Sequence, residues 1–288
     1  MTSTNNRVFD IIRNKRTQLP TLPVVAGNIL KITSDDSTSA RDLADFIIND
    51  QAIVNKLLRL ANSAYYGLIK KVDNISRAIT VIGFSDVTSL AIGMSVFSSF
   101  DLKGVDKVVS MHDLWLHSIC CATAAKSIAT KINLPVDEQI FLCGLLHDMG
   151  KIIFAIHFPE EYKEVLDQAR IQQKPLFMVE HEILGIEHAT IAGYLMEQWN
   201  FPDKLLVPCK YHHNPFKCPD EHKKQAMLLE VADFVCLKSG IGLSGTPELK
   251  DVKITAKNLG LQIDDLKKIA MDLNRQRSKM EEFLKFLD

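Results

Sequence analysis

The heptapeptide Leu145-Leu146-His147-Asp148-Met149-Gly150-Lys151 sets an imidazole, a carboxylate and an amine together at the end of an apolar run. On a continuous helix from Glu138 onward, His147 and Asp148 would point about 100° apart and grip one ion from two directions. Lys151 follows four residues after His147 and three after Asp148, so it projects from the same side, where it can meet an anion. Residues 140–146 are apolar enough to be buried, and a carboxylate placed among them needs compensation. A cation is the simplest compensation.

Other polar residues on apolar stretches extend the set. His117 has Asp113 one turn before it, His188 begins a predicted helix, His212 and His213 end another, and Asp233 interrupts the run Leu228–Leu237. Taken singly, His117 or His188 reads as a packed, hydrogen-bonded histidine. In this order they form a ligand inventory for a divalent transition metal, with Fe, Mn, Zn and Ni all suited to imidazole and carboxylate. His117, His147, Asp148 and Asp233 could hold a first ion. His188 with one or both of His212 and His213 could hold a second, Asp148 bridging the two. His181 stands as the substitute for His188. One or two such ions would activate a water and neutralise a phosphoryl group, with Asp148 and Lys151 as the catalytic candidates for phosphate-ester hydrolysis.

The elements that must position these residues are helices, because apolar spacing of three and four dominates and no series of alternating strands stands out. Val8, Ile11 and Ile12 suggest a short helix that ends before the Pro20 and Pro23 pair. The pattern then predicts helices over 24–33, from Ser39 with its Asp42 partner, from Asp50, over 77–82 and 86–100 with Ser76 and Ser85 as caps, and over 111–131. Beyond the Asn133-Leu134-Pro135 break come the His147 helix and helices over 159–172, 177–184, 188–199, 203–213 and 222–239. Residues 240–246 read as a loop, and 264–286 as an amphipathic helix.

With 288 residues, 47% hydrophobic and 24% charged, the chain is globular, and a net charge of −1 gives it no overall field for nucleic acid or anionic lipid. Ser76 to Ser85 followed by a helix loosely imitates a helix-turn-helix, but from Ile75 to Phe100 the charges are Arg77 and Asp86 alone, so no specific DNA binding is expected. Six cysteines without a C-x-x-C pair read as reduced, buried thiols. No signal peptide and no membrane span are expected, so the expected location is cytoplasmic.

Several segments resemble the HDOD family of bacterial signalling proteins, within the HD superfamily of metal-dependent phosphohydrolases. They are Leu19-Pro20-Thr21-Leu22-Pro23, Asp50-Gln51-Ala52, Leu57-Leu58-Arg59-Leu60-Ala61-Asn62-Ser63-Ala64-Tyr65-Tyr66-Gly67, and Ile75-Ser76-Arg77-Ala78-Ile79 with Gly83. The resemblance runs from about Leu19 to Ser239. It implies an all-α fold with an N-terminal helical bundle (1–105), packed on an HD-type metal-binding helical domain (106–240), and a C-terminal helical extension (241–288). It also implies an output role in bacterial signalling, exerted through signalling proteins or a nucleotide, with metal-dependent phosphohydrolysis as the alternative. The set is similar to that of the HD-GYP phosphodiesterases, with Asp113 in place of a glutamate. The Gly-Tyr-Pro signature is replaced here by Asn214-Pro215-Phe216.

Overall fold

A computed structural model describes residues 8, 10, 12, 19–33, 38–63, 65–68, 70–134, 139–242 and 250–285. Pro135, Glu138 and residues 243–246, 286 and 287, together with Ile11 of the first helix, lie outside them. Among the described residues there are fifteen α-helices and no strand, an all-α fold. The chain divides into two compact units, Thr21–Phe100 with Arg275–Asp288, and Met1–Pro20 with Asp101–Asn274. The division near Phe100 lies beside the expected boundary at 105/106, while the segment from 241 onward is shared between the units.

The first unit contains α1 (Val24–Thr33), α2 (Ala40–Ile47), α3 (Gln51–Ala61), α4 (Ile75–Ile82) and α5 (Phe84–Ser98). Local chemistry starts three of these helices. Ser39 and Asp42 satisfy each other's backbone N–H groups in a capping box before α2, and Asp50 accepts from Ile53 N–H before α3. Asn62 closes the loop after α3: its amide donates to the Val72 carbonyl at 2.7 Å and its oxygen accepts from the Val72 N–H at 2.8 Å. That loop seats Val72 against Ala61 and Ala78. Two caps differ from expectation. Asn74, not Ser76, accepts from Arg77 N–H to start α4, and α5 begins at Gly83 with no side-chain cap. Gly83 adopts φ +105°, which lets the chain turn sharply there. From Val87 to Phe97 every residue of α5 is buried.

The second unit contains α6 (Met111–Lys131), α7 (Gln139–Leu146), α8 (Met149–His157), α9 (Pro159–Gln172), α10 (Leu176–Leu184), α11 (His188–Gln198), α12 (Asp203–Lys210), α13 (Asp220–Lys238) and α14 (Lys253–Asn258). The last helix, α15 (Ile263–Leu284), begins here, and its residues from Arg275 onward count with the first unit. Leu273, Met280 and Leu284 are its buried stripe. Helix α6 packs on α7 and α13, and α11 packs on α8 and α12. A Cβ at Gly144 would fall 2.5 Å from the Ala122 Cα, so glycine is what permits α7 to touch α6. Taken through the turn at 147–148, Gln139–His157 has the length and hydropathy of a membrane span, contrary to expectation. The window is 89% buried within the structure, as the central helix of a packed domain is.

Candidate metal centre

The His-Asp pair does not lie on a continuous helix. Helix α7 ends at Leu146, His147 and Asp148 form a turn, and α8 starts at Met149. This break corrects the helical projection from Glu138, and it aims both side chains at one point. The His147 N–H still bonds the Cys143 carbonyl at 2.9 Å, and its ring Nδ1 bonds the Gly144 carbonyl at 2.9 Å. A carbonyl only accepts, so Nδ1 carries the proton and Nε2 faces inward as a lone pair. His212 repeats the device, with Nδ1 donating to the Cys209 carbonyl at 2.6 Å. Helix α12 stops at Lys210, not 213, so His212 and His213 project from a turn beyond it.

Asp148 is the meeting point. Its Oδ2 lies 3.5 Å from His117 Nε2, 3.5 Å from His147 Nε2 and 2.7 Å from Lys151 Nζ, and its Oδ1 lies 3.0 Å from His188 Nε2. Asp233 Oδ1 approaches His117 Nε2 to 3.0 Å from α13. On the far side, His213 Nε2 and His188 Nε2 are 3.0 Å apart. Two groups of ligand atoms result, His117 with His147 and Asp148, and His188 with His212 and His213, each within 4.8 Å. His117, His147, Asp148, Lys151, His188 and His212 are buried, and Asp233 and His213 are partly so.

Charge follows this geometry. Burial pushes the His212 imidazole down to about 3 and lowers His147 and His213 as well, which leaves these rings neutral. His188 differs: burial opposes its charge, but the Glu180 and Asp148 carboxylates hold it up at about 9. Burial would raise Asp148, yet His147, Lys151 and His188 keep its carboxyl well below the ordinary range. Asp233 is likewise lowered, against burial, by His117.

The donor set fits a metal. The Nδ1 of His117 and the Nε2 atoms of His147 and His212 are buried without a hydrogen-bond partner. Leaving such an atom unsatisfied costs about 1–3 kcal/mol, a penalty a coordinated cation removes. On the His188 and His213 side of the cluster is a cavity of about 30 Å³, lined among others by Lys151, Phe177, His188, His213, Asp233 and Lys250. It accommodates a water.

Every residue in the expected ligand set reaches this cluster, and so does Lys151. Asp113 does not: its carboxylate is turned toward His112 at 3.5 Å and is half exposed. His181 is exposed on α10 and is no substitute for His188. Sequence reasoning missed the residues behind the ligands. Glu180 accepts from His188 Nδ1 at 2.6 Å, from the His188 backbone N–H at 2.9 Å and from the Tyr162 hydroxyl at 2.9 Å. Nothing in the sequence separates it from its neighbour Glu182. Glu230 was more legible, since it precedes Asp233 by one helical turn on an apolar helix. Phe177 stacks on the His213 ring at 4.4 Å.

Comparison with known proteins follows the same lines. The HDOD domain model matches residues 19–215. An uncharacterized protein of Treponema pallidum (strain Nichols) is 25% identical over 213 residues, covering 74% of this chain and 41% of the relative. A proposed signal transduction protein from Marinobacter aquaeolei VT8 superposes with a TM-score of 0.81 at 24% identity, over 94% of this chain and 60% of that one. A proposed phosphohydrolase from Shewanella amazonensis SB2B gives a TM-score of 0.72 at 21% identity, over 96% and 98%. The chain thus spans 41% and 60% of the first two proteins' lengths.

Proposed function

The chain belongs to the HDOD family, and from that premise we propose that it is a signal-transduction output module built around an occupied metal centre. One observation carries the reading: buried imidazole nitrogens of His117 and His147 converge on the Asp148 carboxylate, an arrangement that a coordinated cation would satisfy. His117, His147, Asp148 and Asp233 would hold a first divalent transition metal, drawn from Fe, Mn, Zn and Ni. His188, His212 and His213 would hold a second, with Asp148 shared. Such ions, when bound, lower the pKa of a coordinated water and neutralise phosphoryl charge.

The chain's own groups define what else the centre can do. Asp148 keeps its charge because Lys151 lies 2.7 Å away, and Phe177 covers His213 against solvent. The cavity of about 30 Å³ has room for a water between Lys151, His188, His213 and Asp233. Membership of the HDOD family favours a centre whose state is read by signalling proteins or a nucleotide in a bacterial cytoplasm. Hydrolysis of a phosphomonoester or phosphodiester is the second reading, favoured by Lys151 at the cavity wall, where its ammonium can steady a phosphate oxygen.

Elemental analysis of protein purified without chelator tests the proposal, with His147→Ala/Asp148→Ala as the control. About one to two transition-metal ions per chain, lost in the double variant, are expected. No stoichiometric metal after reconstitution with Fe, Mn, Zn and Ni would overturn it. A phosphatase and phosphodiesterase screen on the metal-loaded protein then separates the two readings.

A further inference from the structure

His213 lacks the ring-to-backbone bond that holds its neighbour His212. It lies in the turn beyond α12, and none of its ring nitrogens bonds a carbonyl of its own turn as those of His147 and His212 do. What fixes it comes from elsewhere. Phe177 stacks on one face of the ring, with the planes 14° apart. The His213 carbonyl accepts a hydrogen bond from Lys250 Nζ at 2.5 Å. Lys250 is in turn held by Glu230, whose Oε1 accepts from the same ammonium at 2.5 Å while its Oε2 accepts from the Thr255 hydroxyl at 2.5 Å. Glu230 is only 4% exposed and lies one turn before Asp233 on α13. Lys250 also lines the small cavity beside Lys151, His188 and Asp233.

We propose that Lys250, locked by Glu230 and Thr255, is a positioning residue that fixes His213 for the second metal. The inference rests on the reading of His213 as a ligand, and it extends the centre to residues beyond the 19–215 stretch that the family model matches. The physical argument is geometric. A ligand in a turn can rotate about its own backbone, and each degree of rotation moves the ring nitrogen relative to His188 Nε2, now 3.0 Å away. Pinning the carbonyl and stacking the ring together remove that freedom, as hydrogen-bonded supports do for metal-binding histidines generally.

The test uses the full chain with Lys250→Met/Glu230→Gln, in which both charges are removed together so that no carboxylate is left buried and unpaired. Lys250→Arg retains the charge and the donors and serves as the rescue. The first readout needs no metal: the His213 Cε1–H proton resonance, displaced upfield by the Phe177 ring. The double variant is expected to move this resonance toward the free-imidazole position while the His117 and His147 resonances stay in place, and Lys250→Arg is expected to restore it. An unmoved His213 resonance in a folded double variant would overturn the proposal. The second readout is cobalt(II) titration followed by visible absorption. Affinity for the second equivalent is expected to fall by roughly 10–100-fold with the first unchanged. Equal loss at both equivalents, or none, would overturn it. Absence of cobalt binding in the unsubstituted chain, with the resonance still shifted in the variant, would sink the metal reading and leave the positioning of His213 standing.

Discussion

The two halves of the centre are held by different means. His117 and Asp233 sit in the interiors of long helices, and His147 bonds the backbone of the turn it follows. Their placement follows from helix packing that the apolar residues of α6, α7 and α13 enforce. On the other half, His188 opens a helix and His212 and His213 stand in a turn. There Glu180, Phe177 and Lys250 supply what the backbone does not. One half is therefore preorganised by the fold, the other by side chains outside the ligand set, and the two respond differently to substitution.

Asp148 is common to both, so Asp148→Ala has the largest expected effect. It removes the carboxylate between the two halves and takes from Lys151, 3% exposed, its ion pair at 2.7 Å. Loss of both ions by elemental analysis is expected, with a destabilisation of about 3–5 kcal/mol in urea unfolding. Retention of one full equivalent would show that Asp148 does not bridge, and the division of labour would need redrawing.

Gly150→Ala comes next and separates the halves. A Cβ there would fall 2.0 Å from the His188 carbonyl oxygen, so the start of α11 must move. Overpacking of this kind costs about 1–3 kcal/mol. The second equivalent of metal is expected to weaken while the first, held through α6 and α13, persists. Equal weakening of both in a titration would break the comparison.

Glu180→Gln is milder and sharper. The amide still accepts from Tyr162 or from the His188 N–H, but it no longer presents a charge to His188 Nδ1. Affinity for the second ion is expected to drop by roughly 10–100-fold, read by competition with a chelator, and the first is expected to be unaffected. An unchanged second affinity would remove Glu180 from the support of the centre.

The same contrast explains what the sequence made legible. Ligands announced themselves because imidazoles and carboxylates are conspicuous on apolar helices, and α6 and α9 were predictable to the residue from spacing and breakers. Supports were not, because Glu180 and Lys250 belong to stretches full of ordinary surface charge. Their burial depends on which helices meet, and periodicity carries no such information. The turn at His147 and Asp148 was hidden for a related reason. Leu146 and Met149 continue an apolar pattern across it, so nothing local marks the break that turns both side chains into one cluster. Helix α14 escaped because six residues are too short for a periodic signal.

The smallest expected effect lies where no ligand does. Among the described residues, the Thr21–Phe100 stretch contributes nothing to either group of metal-ligating atoms. Its order comes from caps and loop closures, of which Asp50 is representative: its carboxylate accepts the Ile53 N–H at 3.0 Å to start α3. Asp50→Ala removes that bond and is expected to cost about 1 kcal/mol, seen as a slightly earlier thermal transition. Metal stoichiometry and both affinities are expected to be unchanged. If the substitution altered the second affinity, capping in a unit without ligands would have to reach His188 and His213. The supports of that half would then extend beyond the side chains that touch it.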